Sequence, residues 1–126
     1  MIKDKMSMTK AKTEQRRQGD RGERRVALYL ILRGYRILQR NWRFRHKEVD
    51  IIAKRGKVIA FVEVKTRLSA TAAPPQAAVG AEKRANVIAA SKAYALQHDV
   101  SGCTIRYDIA EVTPKGVNYI KSAFYG

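Results

Sequence analysis

Apolar residues along the chain follow two periods. From about Glu14 to Arg33 the pattern is helical: Val26, Ala27, Leu30 and Ile31 recur at spacings of three and four and line one face. Gly34 follows at once and suits a C-terminal stop. Glu23 stands three and four residues before Val26 and Ala27, so it shares the inward stripe one turn nearer the N-terminus. A purely solvent-facing charged surface does not predict a carboxylate there. After Gly34 the period shortens. Tyr35 to Arg45 reads as extended, with Tyr35, Trp42 and Phe44 set among Arg33, Arg36, Arg40, Arg43 and Arg45. Such a segment is either a stacking and phosphate surface or a first strand with its aromatics in the core. Glu48–Ala53 and Lys57–Thr66 are β-rich runs on either side of Arg55-Gly56, a hairpin signal. Leu68 to Pro75 reads as a loop, Gln76 to about His98 as a helix, and Cys103 to Val112 as a strand. Thr113-Pro-Lys-Gly116 has turn chemistry and leads to a last short strand, Val117 to Ile120. The predicted order is α-β-β-β-α-β-β, an α/β domain with one mixed sheet and helices against it. Residues 1–14 are polar, basic and aperiodic, which predicts a disordered arm and leaves 15–126 as one domain.

Charge changes this picture most. Lys plus Arg is 26 and Asp plus Glu is 11, a net +15 over 126 residues. At that density the expected partner is a polyanion, nucleic acid before an anionic membrane surface, because Lys and Arg contacts to phosphate dominate nucleic-acid affinity. A hydrophobic share of 45% supports one core. Cys103 is the single cysteine, and the histidines are His46 and His98, so neither an intrachain disulfide nor Cys–His zinc spacing is available. A reducing cytoplasm is the expected compartment. The longest apolar run, Val26–Leu32, is seven residues, far below the ~20 that span a bilayer. The opening MIKDKMSMTK lacks the apolar stretch of a signal peptide.

The most informative stretch is Phe61-Val-Glu-Val-Lys-Thr-Arg67. In a strand, Val62 and Val64 point one way and Phe61, Glu63 and Lys65 the other. Apolar residues on both faces indicate an interior strand, where an uncompensated charge is costly. If Arg55 and Gly56 form the two-residue loop, Lys54 pairs with Lys57, and Asp50 falls opposite Phe61 and diagonal to Glu63 on the same face. Two carboxylates brought together repel, and one keeps a proton unless a cation intervenes. Mg²⁺ suits such a pair, since it takes oxygen ligands and keeps several waters. An ammonium two residues after the acid, at Lys65, can hold a water and offset developing charge. Glu23, carried in by the helix, can complete the shell or orient a water.

Gly22-Glu23, Arg40-Asn41-Trp42-Arg43, Glu48-Val-Asp50-Ile-Ile, Phe61-Val-Glu-Val-Lys-Thr-Arg67 and Ala78-Val79 followed by Lys83 resemble the YraN-like family of bacterial proteins, over about Gly19 to Phe124. That family is similar to the PD-(D/E)xK, or restriction-endonuclease-like, superfamily, and in particular to archaeal Holliday-junction resolvases. The resemblance implies a central mixed sheet flanked by helices. It implies Asp50 and Glu63 as ligands of Mg²⁺ or Mn²⁺, Lys65 as the catalytic lysine and Glu23 as the helix-borne acid. Arg67, Gln76 and Lys83 fall where accessory or phosphate contacts are expected, and Arg43 and Arg45 of the first strand join them. Lys47 stands where the family usually has glycine before the first acid of the Glu-x-Asp motif. The activity implied is metal-dependent phosphodiester hydrolysis on DNA, in preference to RNA, with branched DNA as one substrate class. Symmetric cutting of a four-way junction would need a homodimer. Two other readings stay open: a nucleic-acid-binding module that keeps the nuclease fold without catalysis, and a ribosome- or protein-associated basic domain with its carboxylates in structural ion pairs.

Overall fold

The computed structural model describes residues 17, 19–67 and 79–126. Helix α1 runs through residues 19–32. It is followed by β1 (Arg36–Phe44), β2 (Lys47–Arg55), β3 (Val58–Thr66), α2 (Ala81–Gln97), β4 (Thr104–Thr113) and β5 (Gly116–Phe124). This is the α-β-β-β-α-β-β order expected from the sequence. The basic arm, the 68–75 loop and Gln76 lie outside the described residues. The second helix begins later than its apolar pattern suggests, because Gly80 is extended (φ −71°, ψ 171°) and stands before Ala81 as its N-cap.

The strands form one five-stranded sheet in the order β1-β2-β3-β4-β5. β3 and β4 are parallel, joined by the crossover that contains α2, and the other neighbours are antiparallel. Alternation along the central strands sorts the core into two layers. Val26, Ala27 and Leu30 of α1, with Tyr35, pack on Ile51, Ala53, Ala60, Val62, Ala110 and Val112. On the opposite face Val87, Ala90 and Tyr94 of α2 pack on Ile52, Ile59, Phe61, Tyr107 and Ile109. The layout agrees with the restriction-endonuclease-like architecture.

Two of the three aromatics of the Tyr35–Arg45 segment, Tyr35 and Trp42, belong to this core, and Phe44 does not. Tyr35 is buried, and Trp42 meets Tyr94 edge-on at 5.4 Å. Arg36, Arg40, Arg43 and Arg45 are exposed. One helical residue departs from expectation: Ile31 is 53% exposed and shares the outer surface of α1 with Leu28 and Leu32. The inward stripe is narrower than the pattern of apolar residues implies.

The β2–β3 register also differs from expectation. Arg55 pairs with Val58 and Ile51 with Val62, so the loop is Gly56-Lys57 and not Arg55-Gly56. Gly56 holds φ 59°, as a II′ hairpin turn favours at the first of its two central residues. The slip is two residues. It preserves which face each side chain takes and moves Asp50 from diagonal to Glu63 to the position across from it. The main-chain pairing stops at Ile51↔Val62, and there the Asp50 side chain takes over.

Candidate functional site

Strict alternation fails at Asp50. Val49 belongs to the α2 layer together with Ile52, whereas Ile51 belongs to the α1 layer. The β1 rungs Arg40↔Ile51 and Trp42↔Val49 bracket Asn41, whose φ of 51° is left-handed. Asparagine tolerates that conformation better than most residues. The local twist leaves the Asp50 carboxylate at the β2–β3 seam, where Oδ2 accepts the Val64 N–H at 2.8 Å. A side chain thus substitutes for the next main-chain rung and brings Asp50 against the residue that follows Glu63.

Glu63 is 4% exposed. Its Oε1 is 3.4 Å from Lys83 Nζ, in the first turn of α2. Its Oε2 is buried and accepts from no donor among the described residues, while the carboxyl interacts with the Asp50 side chain. Burial, reinforced by the neighbouring Asp50 and only partly offset by Lys83, pushes the Glu63 carboxyl up to about 9. Glu23 is also shifted upward, first by burial and then by the charge of Asp50, against the opposing influence of Asn41 and Arg40. The Arg40 guanidinium lies 3.5 Å from Glu23 Oε2. Glu23, Asp50 and Glu63, from α1, β2 and β3, therefore converge on one electrostatic neighbourhood. Lys65 is exposed and follows Glu63 by two residues on β3, which gives it the same strand face.

Among the described residues no three acidic, His or Cys side chains close into a ready-made metal cage. Asp50 and Glu63 nonetheless fit a hard divalent cation. Both offer carboxylate oxygens, the two side chains interact directly, and Mg²⁺ needs only one or two protein carboxylates beside water and phosphate oxygens.

The residues expected to touch phosphate are dispersed. Arg43 is exposed and pairs with Glu48 at 3.3 Å. With Glu23 and Asn41 they line an open pocket of about 490 Å³. Arg45 occupies the β1–β2 turn with φ 59° and its guanidinium over Phe44. Arg67 lies on the far side of the sheet end, 2.9 Å from Glu111. Lys83 reaches a candidate ligand: its ammonium pairs with Glu63 while its side chain stays 46% exposed. Sequence reasoning missed Arg40 and Asn41 as partners of Glu23. The left-handed tolerance of asparagine in an Arg-Asn-Trp run was a usable signal for the twist.

Among the described residues no helix is long and apolar enough to cross a membrane. Residues 22–112, which include every candidate acid and Lys65, match the profile described as uncharacterised protein family UPF0102. A UPF0102 protein of Chlorobium phaeobacteroides is 38% identical over 107 residues, covering 85% of this chain and 84% of the relative. One from Trichlorobacter lovleyi is 46% identical over 95 residues, 75% of each chain. One from Myxococcus xanthus is 35% identical over 118 residues, 90% of this chain and 94% of its own. The match spans the helix, hairpin and crossover that assemble the acids, and the chain belongs to the UPF0102, or YraN-like, family.

Proposed function

We propose that the chain is a divalent-metal-dependent phosphodiesterase acting on DNA, branched DNA included. The observation that carries this reading is the buried carboxyl pair: Glu63, 4% exposed, is raised in proton affinity by burial and by its interaction with the Asp50 side chain. Two carboxyl groups held together keep a proton between them or take a cation, and a divalent ion would replace the proton that Glu63 holds. Asp50 and Glu63 would hold Mg²⁺ or Mn²⁺, whose chemistry there is to polarise a phosphate oxygen and acidify a bound water. Lys65 would orient that water and set a positive charge against the phosphate as negative charge grows. Glu23, with its raised proton affinity, would hold or accept a proton beside the pair. Arg43, Arg45, Arg67, Gln76 and Lys83 would contact phosphates. Arg45 stands on left-handed backbone that glycine would adopt with less strain, which favours a role for its side chain. On this reading the protein works in the cytoplasm, on DNA in preference to RNA, and symmetric cutting of a four-way junction takes two copies.

The test is a substrate panel of single-stranded, duplex, flap and four-way DNA with Mg²⁺ or Mn²⁺. Cleavage of at least one substrate, abolished in Asp50→Ala and Lys65→Ala, is the expected result. Intact substrates throughout would overturn the activity, and undiminished cleavage in either variant would overturn the residue roles.

A second reading, a non-catalytic nucleic-acid-binding module, is favoured by the ion pairs that already engage two of the acids, Lys83 with Glu63 and Arg40 with Glu23. Salt-sensitive binding without cleavage, together with no Asp50-dependent Mn²⁺ heat in calorimetry, would select it.

A further inference from the structure

Helix α1 separates two pockets of opposite character. Gly19 and Glu23, four residues apart, line the open pocket toward β1 and β2. Arg21 and Arg25, also four apart and so on a common flank, line a second cleft of about 260 Å³. Its other walls include Thr66 and Arg67 at the end of β3, and Thr113 and Pro114 at the end of β4. These are the carboxyl ends of the sheet's parallel pair, the edge at which open α/β sheets take their ligands. Gly22 sits between the two pockets. A Cβ there would collide with Thr66 Oγ1, so the missing side chain lets α1 close down on the strand end.

The cleft holds more positive charge than its surroundings neutralise. Arg67 Nη1 is paired to Glu111 at 2.9 Å, and Arg25 Nη1 donates to the Thr113 carbonyl at 3.1 Å. Arg21 has no hydrogen-bond or ion-pair partner among the described residues. Three guanidinium groups thus line a concavity whose Val112 and Pro114 surfaces are apolar, with Glu111 the carboxylate paired to Arg67 among the described residues. Low-dielectric walls concentrate such a field on whatever anion enters. Arginine forks match phosphate oxygens in geometry as well as charge. The volume is just under the ~300–1,000 Å³ usual for small-molecule sites, which suits a single phosphate-bearing unit.

We infer that the cleft formed by Arg21, Arg25 and Arg67 binds a phosphate group of a nucleic-acid strand, on the flank of α1 opposite Glu23. The inference rests on the nucleic-acid part of the proposed function and needs neither the metal nor cleavage. The phosphate comes from an internal linkage or from a strand terminus.

Both sources are separated by fluorescence anisotropy in EDTA with full-length protein and a single-stranded oligonucleotide, with and without a 5′-phosphate. Arg21→Gln/Arg25→Gln is compared with Arg33→Gln/Arg36→Gln, which removes the same charge from exposed positions outside the cleft. Arg21→Gln alone serves as the variant that disturbs no described contact. Loss of two phosphate contacts should flatten the slope of log K against log salt by about 1.4, at ~0.7 per contact on a single strand. The control pair should change it by much less. Stronger binding of the 5′-phosphorylated strand, abolished in the cleft variant, assigns the site to a terminus. Equal binding of the two strands, weakened in the cleft variant, assigns it to an internal phosphate. Cleft and control variants with the same affinity and slope would overturn the inference, and so would a wild-type protein that binds neither strand. Cleft-dependent binding without cleavage anywhere in the substrate panel would defeat the nuclease reading alone.

Discussion

At Glu63 and Asp108 the chain buries a carboxylate in two different ways. Asp108 is fully buried and fully satisfied. Arg106 grips it with Nε–Oδ1 and Nη2–Oδ2 bonds of 2.9 and 2.8 Å, Tyr119 donates its hydroxyl, and Ser122 donates its N–H at 2.9 Å. Burial opposes the charge on Arg106, but Asp108 and Tyr35 more than offset it. Asp108→Ala should destabilise the fold by about 1–3 kcal/mol, because it leaves the half-buried Arg106 guanidinium and the Tyr119 hydroxyl without their acceptor; urea denaturation measures it. Glu63 has no such cradle. Its folded-state value near 9 lies above the ordinary 4.5, so the folded protein keeps a proton that the unfolded chain releases. Stability of the metal-free protein should therefore fall as pH rises from about 5 to 9, and Glu63→Gln should remove most of that slope in denaturation curves. Divalent metal should bind more tightly toward high pH and release a proton on binding, which calorimetry in buffers of different ionisation enthalpy detects. Hairpin pairing brings Asp50 near Glu63 from sequence, although the alternation it assumes breaks at Asp50. It gave no hint that Lys83, twenty residues beyond Glu63 in the chain, would sit on Glu63 Oε1, since that contact depends on where the crossover helix lands.

Among the elements, the hairpin and first helix were legible because their periods are short-range properties. The register was misread by two residues because the Arg-Gly pair carries a turn signal that fits either side of the glycine; the left-handed φ of Gly56 decides it. The face assignment survived, since an even slip preserves parity. The break in alternation at Asp50 was not legible, as it requires β1 and β2 to twist together around Asn41. The α1–β3 approach offers a direct check. Gly22→Ala gains about 1 kcal/mol of helix propensity but drives a methyl into Thr66 Oγ1. Overpacking of this kind costs about 1–3 kcal/mol, so the substitution should be neutral to destabilising in wild type and stabilising in a Thr66→Ala background. A double-mutant cycle by urea denaturation measures the coupling.

At the scale of the whole molecule, the chain carries a net +15, and among the described residues Arg21, Arg24 and Arg25 of α1 and Arg36, Arg40, Arg43 and Arg45 on and beside β1 are exposed. Metal-free binding to duplex DNA should weaken steeply with salt, with a log–log slope of about −0.9 for each phosphate engaged. A slope near zero would remove electrostatics as the source of affinity. That expectation of a polyanion rests on composition alone. The cleft of Arg21, Arg25 and Arg67 was not legible in the sequence, because its walls come from α1, the end of β3 and the β4–β5 turn, and only the closed fold places them side by side. The borders of the sheet carry a consequence for assembly. β1 is irregular between Ile37 and Gln39, turns left-handed at Asn41 and is studded with arginines, while β5 is irregular opposite Tyr107–Ile109 and left-handed at Ser122. These breaks shorten the row of free amides at each margin, and a bulged, arginine-bearing edge is a poor template for a second chain, which works against fibrous stacking of this protein in concentrated solution.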